Sequence, residues 1–154
     1  MATRIDPRRE ERGTPRPARF PPELVRYETA EERLEAYGGA GVLDFAKGMY
    51  ALRRRRDALF GEAISSEPAW DILLHLFIAG AEGRVVTVLS ACEGAAAPQT
   101  TGLRKLRQLE QARLIVRIGD PKDARRSYVR LSHLACRKMR SLLKERSHEC
   151  GQGP

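Results

Sequence analysis

Residues 98–112 carry the side chains best suited to contacting a polyanion. At helical spacing Gly102, Leu106 and Leu109 fall on one face, at steps of four and three residues. The opposite face carries amide, hydroxyl and cationic groups: Gln99, Thr100, Arg104, Lys105 and Gln108. In the major groove of DNA, arginine and lysine bind guanine edges or phosphates. The pattern therefore predicts an amphipathic helix whose polar face suits double-stranded DNA.

Individual positions of this helix suit different parts of a duplex. Thr100 and Thr101 lie in the first turn, where free N–H groups and the positive end of the helix dipole favour phosphates. Arg104 lies one turn further along the helix. We expect Arg104 to read bases directly, because a bidentate arginine on guanine is the commonest specific contact.

A basic hairpin is predicted directly after this helix. The runs 114–118 and 127–131 are β-branched or aromatic, and the polar residues 119–126 between them predict a long polar tip. Within this wing, residues 117–128, Arg125 or Arg126 suits a narrow minor groove, where negative potential is concentrated. Asp123 is expected to hold Arg125 in place. Lys122 and Arg117 suit phosphate contacts, which position a protein without reading sequence.

The distribution of charge agrees with this assignment. The 154 residues include 28 Lys and Arg against 20 Asp and Glu, a net charge of +8. Residues 1–35 hold eight basic and eight acidic side chains, whereas residues 98–146 hold 14 basic against 4 acidic. A basic surface is the usual footprint of polyanion binding, so we expect that surface within 98–146.

The remaining periodicity predicts a small helical core. Residues 41–60 repeat apolar side chains at helical steps, with Val42, Phe45, Met49 and Leu52 expected to face inward and Gly61 to end the helix. Pro68 suits the first turn of the next helix, which is apolar on nearly all sides and closes at residues 80–83. A very short strand, 84–86, precedes a helix that Thr87 caps. In that helix Val88, Leu89 and Cys92 are expected to face inward.

The chain divides into four segments. Residues 1–28 form an Arg- and Pro-rich arm that buries too little apolar surface to offset its ordering entropy, and we expect it to be disordered. Residues 29–40 form a short helix, started by the Thr29 and Glu32 capping box, and a glycine linker. Residues 41–146 form the folded domain, whose last helix begins at His133 behind a Ser132 cap. Residues 147–154 form a frayed tail.

This order of elements, helix, helix, short strand, helix, polar-faced helix and hairpin, is typical of a mainly α winged helix-turn-helix domain. Residues 97–117 resemble the recognition helix and following strand of MarR-type transcriptional regulators. Residues 123–132 are similar to the Asp-x-Arg wing motif of that family, with Asp123 and Arg125 at its two fixed positions. The resemblance covers residues 44–146. It implies a homodimer built from the terminal helices, with recognition helices in successive major grooves and a pseudo-palindromic site.

Two positions depart from the family pattern. Arg113 stands where the family usually has a glycine to end the recognition helix in a left-handed turn, which costs on the order of 1 kcal/mol. Gly102 replaces a small or branched apolar residue, and an interior glycine weakens a helix by up to about 1 kcal/mol relative to alanine. On helix propensity alone, Gly102→Ala is expected to raise thermal stability.

Several conspicuous residues are given structural roles. Residues 53–56 are four consecutive arginines, which point around most of a helix circumference, so we expect them to be mostly solvated. Cys92 is expected to be a small buried hydrophobe rather than a redox sensor. His75, in the most apolar helix, is expected to be a core histidine with a backbone partner, because no second metal ligand lies four residues on.

Composition excludes several classes of protein. The three histidines and three cysteines show no metal-ligand spacing, and no phosphate-binding loop or paired nucleophile and base is present, so we expect no catalysis and no cofactor. An odd cysteine count favours the reducing cytoplasm. No segment is long and apolar enough for a membrane span or an export signal.

Alternatives to sequence-specific regulation stay open at this stage. One is a winged-helix protein-protein interaction module that docks its basic surface onto an acidic partner, and another is a non-specific architectural DNA-binding protein. The sequence is also compatible with a small-molecule effector, which it does not identify.

Overall fold

The computed structural model describes Tyr27, residues 29–60 and residues 67–151. The predicted arm, residues 1–28, lies outside this part of the chain except for Tyr27, as do Gly61 and residues 152–154.

The described residues form a mainly helical winged helix-turn-helix domain, as the sequence predicts. The helices and strands, in chain order, are α1 (Ala30–Ala36), α2 (Ala40–Phe60), α3 (Pro68–Glu82), β1 (Val86–Thr87), α4 (Val88–Gly94), α5 (Gln99–Gln111), β2 (Ile115–Asp120), β3 (Asp123–Leu131) and α6 (His133–Gly151). The strands form an antiparallel sheet in the order β1-β3-β2.

The helix starts follow the predicted capping residues. Thr29 and Glu32 form the reciprocal capping box of α1. The Thr87 hydroxyl accepts a hydrogen bond from the Ser90 N–H at 3.1 Å, and the Ser132 hydroxyl accepts one from the Ala135 N–H at 3.0 Å. Pro68 occupies the first turn of α3, and Gly83 ends that helix in the left-handed region at φ 71°. Local sequence therefore fixes where these helices begin and end.

Helix α3 is the centre of the core. Ile72, Leu74 and Phe77 are fully buried, and α3 packs against α1, α2, α4, α5, α6 and β3. Residues on the neighbouring elements, among them Ala46, Leu106 and Leu143, are also fully buried. The apolar positions predicted for α3 therefore form the contact surface that supports α4 and α5.

Two predicted core positions are wrong. Leu52 is 68% exposed, because the buried face of α2 is formed by Val42 and Ala46 and does not extend into its C-terminal half. Leu89 is 53% exposed. In the short helix α4 the buried residues are Ala91, Cys92 and Gly94, and Leu89 is not among them.

Two predicted boundaries also differ. Strand β1 comprises Val86 and Thr87 rather than residues 84–86, since it pairs with Val129 and Tyr128 of β3. Helix α6 continues to Gly151, so residues 147–151, expected in a frayed tail, are helical.

The arginine run on α2 is a packing element, which corrects the expectation that it is mostly solvated. Asp71 of α3 is 2% exposed, and its carboxylate pairs with Arg53 and, at 2.7 Å, with Arg54. Arg53 also binds Glu67 at 2.9 Å. Arg54 binds Asp57 at 3.2 Å and lies over the Tyr50 ring, 5.2 Å from its centroid. These contacts join the C-terminal half of α2 to the start of α3.

Candidate DNA interface

Helix α5 presents the predicted polar face to solvent. Gly102, Leu106 and Leu109 are buried, and they anchor the helix on α3 and α4. Gln99, Thr100, Arg104 and Gln108 are exposed, whereas Thr101 and Lys105 are half-buried. The structure therefore leaves four of the six predicted residues of this helix exposed and sets the other two closer to the body of the domain.

A groove explains the partial burial of Thr101 and Lys105. It has a volume of about 550 Å³ and is lined by the start of α3 and by α5. Trp70 and Pro68 form part of its α3 wall, while Thr101, Arg104 and Lys105 form the α5 wall. Trp70 belongs to the helix that the sequence predicts to be apolar on nearly all sides. Its aromatic side chain therefore borders the polar face of α5.

Gly102 lies at the closest approach of α5 to α4. A Cβ atom added to Gly102 would lie 2.9 Å from Cβ, 3.0 Å from Sγ and 3.1 Å from Cα of Cys92. Packed protein atoms do not approach this closely, so alanine requires the two helices to move apart. The expectation that Gly102→Ala stabilises the protein is reversed, because it considered helix propensity without the packing partner.

The end of α5 has the strained geometry that the sequence predicts. Arg113 adopts φ 57°, in the left-handed region that favours glycine. The Leu114 N–H donates to the Leu109 carbonyl at 2.9 Å, and the Arg113 N–H donates to the Glu110 carbonyl at 2.9 Å. These hydrogen bonds satisfy carbonyls at the helix end and turn the chain directly into β2.

The hairpin is longer and tighter than the predicted wing. Strand pairing continues to Asp120 and Asp123, so the turn consists of Pro121 and Lys122 rather than residues 119–126. The register shifts between the Gly119–Ser127 pair and the Asp120–Asp123 pair. This shift leaves residues 124–126 of β3 without a partner on β2. Arg125 and Arg126, both exposed, therefore lie on a bulge beside the tip.

Two aspartates hold the tip of the hairpin. Asp120 accepts hydrogen bonds from the Lys122 N–H at 2.9 Å and from the Tyr128 hydroxyl at 2.8 Å. These bonds, the Lys122 one foremost, lower the pKa of Asp120, so its carboxylate stays charged. Asp123 accepts a hydrogen bond from the Arg125 backbone N–H at 3.0 Å. Asp123 thus holds Arg125 as predicted, through the backbone and not through the guanidinium.

Sequence reasoning missed the contribution of Asp120 and Tyr128. Asp120 begins an Asp-Pro-Lys turn, and an aspartate that bonds the N–H two residues on is a common turn residue. That signal was present in the sequence. The Tyr128 contact was not, because it depends on the strand register that sets Tyr128 close to the turn.

Arg117 lies at the base of the hairpin rather than at its tip. Its guanidinium is 3.5 Å from the Glu110 carboxylate at the end of α5. This ion pair links the recognition helix to β2, which α5 also contacts through its core face. Arg117 therefore differs from the other predicted wing cations. It is ion-paired at the base of the hairpin, whereas Lys122, Arg125 and Arg126 are exposed at or beside its tip.

His75 and Cys92 lie beneath this surface. Cys92 is buried, as predicted, and burial raises the pKa of its thiol. Burial also lowers the pKa of His75, and the Arg84 charge acts in the same direction. The ring lies beside Tyr50 and against Gly94, and its Nε2 has no hydrogen-bond partner in the described residues. The expected backbone partner is therefore not present at that nitrogen.

Two structural features are absent from the described residues. No group of three or more His, Cys, Asp or Glu side chains is arranged to hold a metal ion. Within the same ranges, no helix combines the length and the apolar character needed to cross a membrane.

Comparison with known proteins gives matches among solved structures alone. No protein-family model and no curated protein matches the chain. Heme-free PefR covers 68% of this chain and 91% of its own, at 14% identity and a TM-score of 0.39. The transcriptional regulator PA4135 covers 70% and 76%, at 21% identity and 0.45. A mutant of S. aureus MepR covers 70% and 77%, at 19% identity and 0.47.

These three structures are MarR-family transcriptional regulators, the family whose motifs the sequence resembles. The fold assignment itself rests on the order of elements and the β1-β3-β2 sheet. That order and that sheet define a winged helix-turn-helix protein with an exposed polar helix and a basic wing.

Proposed function

We propose that this protein is a sequence-specific double-stranded DNA-binding transcriptional regulator. Helix α5 enters the major groove and the β2–β3 wing contacts the minor groove. The observation that carries the proposal is the exposed polar face of α5, which is followed in the chain by a hairpin with exposed cations at its tip. A buried apolar face on α5 fixes which side chains are presented, so the surface is preorganised.

Each residue has a defined role in this proposal. Arg104 is exposed and has no ion pair within the described part of the chain, so its guanidinium is available to a guanine edge. Gln99, Thr100 and Thr101 contact phosphates at the helix start, while Lys105 and Gln108 extend the contact surface along the groove. Arg125 and Arg126 contact the minor groove, and Lys122 binds a phosphate beside it. Arg117 stabilises the junction between helix and hairpin.

The first test is selection from a pool of random duplexes at about 150 mM salt, where non-specific phosphate binding is weak. Enrichment of a two-fold-related site supports a dimeric sequence-specific regulator and gives its operator. Binding without enrichment indicates an architectural DNA-binding protein. Absence of binding indicates a winged-helix module that docks onto an acidic protein, and it contradicts the proposal.

Single arginine substitutions test the assigned surface. Arg104→Ala is expected to weaken binding to the selected duplex by about tenfold and to relax the preference at one base pair. Arg125→Ala is expected to weaken binding most strongly on A·T-rich flanks. Affinities are measured by mobility shift, with Lys138→Ala on α6 as a control for the loss of one exposed positive charge. Unchanged affinity of both arginine variants would refute the assigned surface.

A homodimer formed through the terminal helices is part of the proposal. Large apolar side chains are exposed on α2, with Leu59 at 78% and Phe60 at 64%, and Leu134 and Leu142 are exposed on α6. Leu59 and Phe60 are neighbours at the end of α2, and contiguous exposed apolar groups mark interaction surfaces more often than isolated residues do. A two-fold dimer would bury such a patch against its own copy and would place two α5 helices on one side of a duplex.

Charge substitution on α2 tests this dimer. Leu59→Glu is expected to shift the protein from dimer to monomer in light scattering, because burying an unpaired carboxylate is costly. Leu89→Glu is the matched control, since Leu89 is also an exposed leucine, at 53%, but lies on α4. A monomeric parent protein, or equal effects of the two substitutions, would contradict a dimer built from the terminal helices.

A further inference from the structure

A second basic surface lies between α1 and α6 and includes no residue of the candidate DNA interface. It is a groove of about 520 Å³ lined by Glu35, Gly38, Arg137, Arg140, Ser141 and Lys144. We call it the α1–α6 groove. Its four α6 residues are spaced by three, one and three positions, so they share one face of that helix. The groove therefore gathers three cationic side chains and a hydroxyl around one concave site.

Arg140 is held in place by α1. Its Nη1 donates a hydrogen bond to the carbonyl of Ala36, the last residue of α1, at 3.3 Å. Gly38 has φ 96°, and a Cβ added there would lie 3.1 Å from Cγ of Arg140. The glycine turn therefore leaves room for the stem of Arg140 to lie against it. Only one of the five guanidinium N–H donors is used in this bond, which leaves the others for a ligand.

The lining of the groove is predominantly cationic. It contains three cations and one carboxylate, Glu35, and Arg137 has no ion pair in the described ranges. Like charges three and four residues apart on a helix repel one another. A bound anion would relieve this repulsion and would accept hydrogen bonds from Arg137, Arg140 and the Ser141 hydroxyl. Phosphate suits the site best, because it offers several acceptor oxygens and matches the fork of an arginine.

We propose that the α1–α6 groove binds a small anion through a phosphate group. Arg137 and Lys144 supply charge on either side, and Arg140, held over the end of α1, supplies directed hydrogen bonds. Glu35 limits the affinity and disfavours ligands with more negative charge than the cations can balance. None of the lining residues belongs to α5 or to the wing, although α6 also carries Leu134 and Leu142 of the proposed dimer surface.

Calorimetric titration of the full chain tests the site with two probes. Inorganic phosphate and glycerol phosphate are compared at constant ionic strength adjusted with chloride, so that a free phosphate and a phosphate ester are distinguished. Saturable binding of either probe is expected. The Arg137→Gln and Lys144→Gln double variant is expected to weaken binding by at least about tenfold, because it removes two charge-assisted partners. Glu35→Gln is expected to tighten it.

Lys138→Gln is the matched control on the same helix, outside the groove, and it is expected to leave phosphate binding unchanged. Circular dichroism and a melting curve confirm that each variant is folded. Two results would overturn the proposal. They are absence of saturable binding by both probes, or equal losses in Lys138→Gln and the double variant.

Discussion

Asp71→Ala is expected to lower the free energy of unfolding by about 3 kcal/mol. Removing one partner of a buried ion pair leaves the other charge uncompensated, which costs roughly 3–5 kcal/mol. Asp71 is 2% exposed and pairs with both Arg53 and Arg54. The lower end of that range applies here, because the two arginine side chains retain 11% and 24% of their exposure and can recover some hydration.

The substitution also removes contacts between α2 and α3, and α3 sets the position of the candidate DNA interface. Asp71 lies in the first turn of α3, close to Trp70, and α3 supports α5. Loss of the ion pairs is therefore expected to loosen the start of α3 as well as to lower global stability.

Urea unfolding followed by circular dichroism measures the effect. Glu67→Gln is the matched control, because Glu67 pairs with the same Arg53 but its side chain is 67% exposed. An exposed ion pair contributes about 0–1 kcal/mol, so the control should lose no more than that. If Asp71→Ala were no more harmful than Glu67→Gln, Asp71 would not be the anchor between α2 and α3.

Gly102→Ala is expected to lower the free energy of unfolding by about 2 kcal/mol. Alanine raises intrinsic helix stability by up to about 1 kcal/mol, whereas forcing an extra atom into a packed contact costs about 1–3 kcal/mol. The atoms in the way are Cα, Cβ and Sγ of Cys92, all within 3.1 Å of the added Cβ. The Cα and Cβ atoms of Cys92 cannot be moved by a side-chain rotation. The cost of overpacking is therefore expected to exceed the gain in helix propensity.

Gly48→Ala is the matched control for this prediction. Gly48 also lies within a helix, α2, but a Cβ added there meets nothing within 4 Å. The same chemical change is therefore expected to stabilise the protein by up to about 1 kcal/mol at Gly48 and to destabilise it at Gly102. Melting curves of the two variants give the comparison. A raised melting temperature for Gly102→Ala would show that α4 and α5 separate at no cost.

Gly102→Ala also has an expected effect on DNA binding. Moving α5 away from α4 displaces Arg104 and the first turn of the recognition helix relative to the wing. The variant is therefore expected to lose affinity for the selected duplex even at temperatures where it is fully folded, while Gly48→Ala keeps the affinity of the parent protein.

The sequence predicted the elements and the polar face of α5 because these depend on local and periodic information. The capping hydrogen bonds of Thr29, Thr87 and Ser132 act within three residues, and the spacing of Gly102, Leu106 and Leu109 alone selects the buried side of α5. The left-handed conformation of Arg113 was implied by the resemblance to the MarR-type pattern, which usually has a glycine at that position. Each of these features is set by residues that are neighbours in the chain.

The features that the sequence did not predict depend on contacts between distant residues. Arg53 and Arg54 have a partner, Asp71, that lies on another helix, and a charge run looks solvated until that partner is known. The register of β3 decides that Arg125 and Arg126 lie on a bulge and that Tyr128 reaches Asp120. Helix periodicity also extended the buried face of α2 to Leu52, although no element of the described residues covers that position.

The order of helices and strands, the helix caps and the polar face of α5 therefore follow from the amino-acid sequence. The expected sign of the Gly102 substitution, the structural role of the arginine run and the meeting of α1 with α6 in a basic groove follow from tertiary contacts. The difference lies in the range of the interactions. Propensity and periodicity act over a few residues of chain, whereas close packing and the pairing of buried charges act between residues that only the fold brings together.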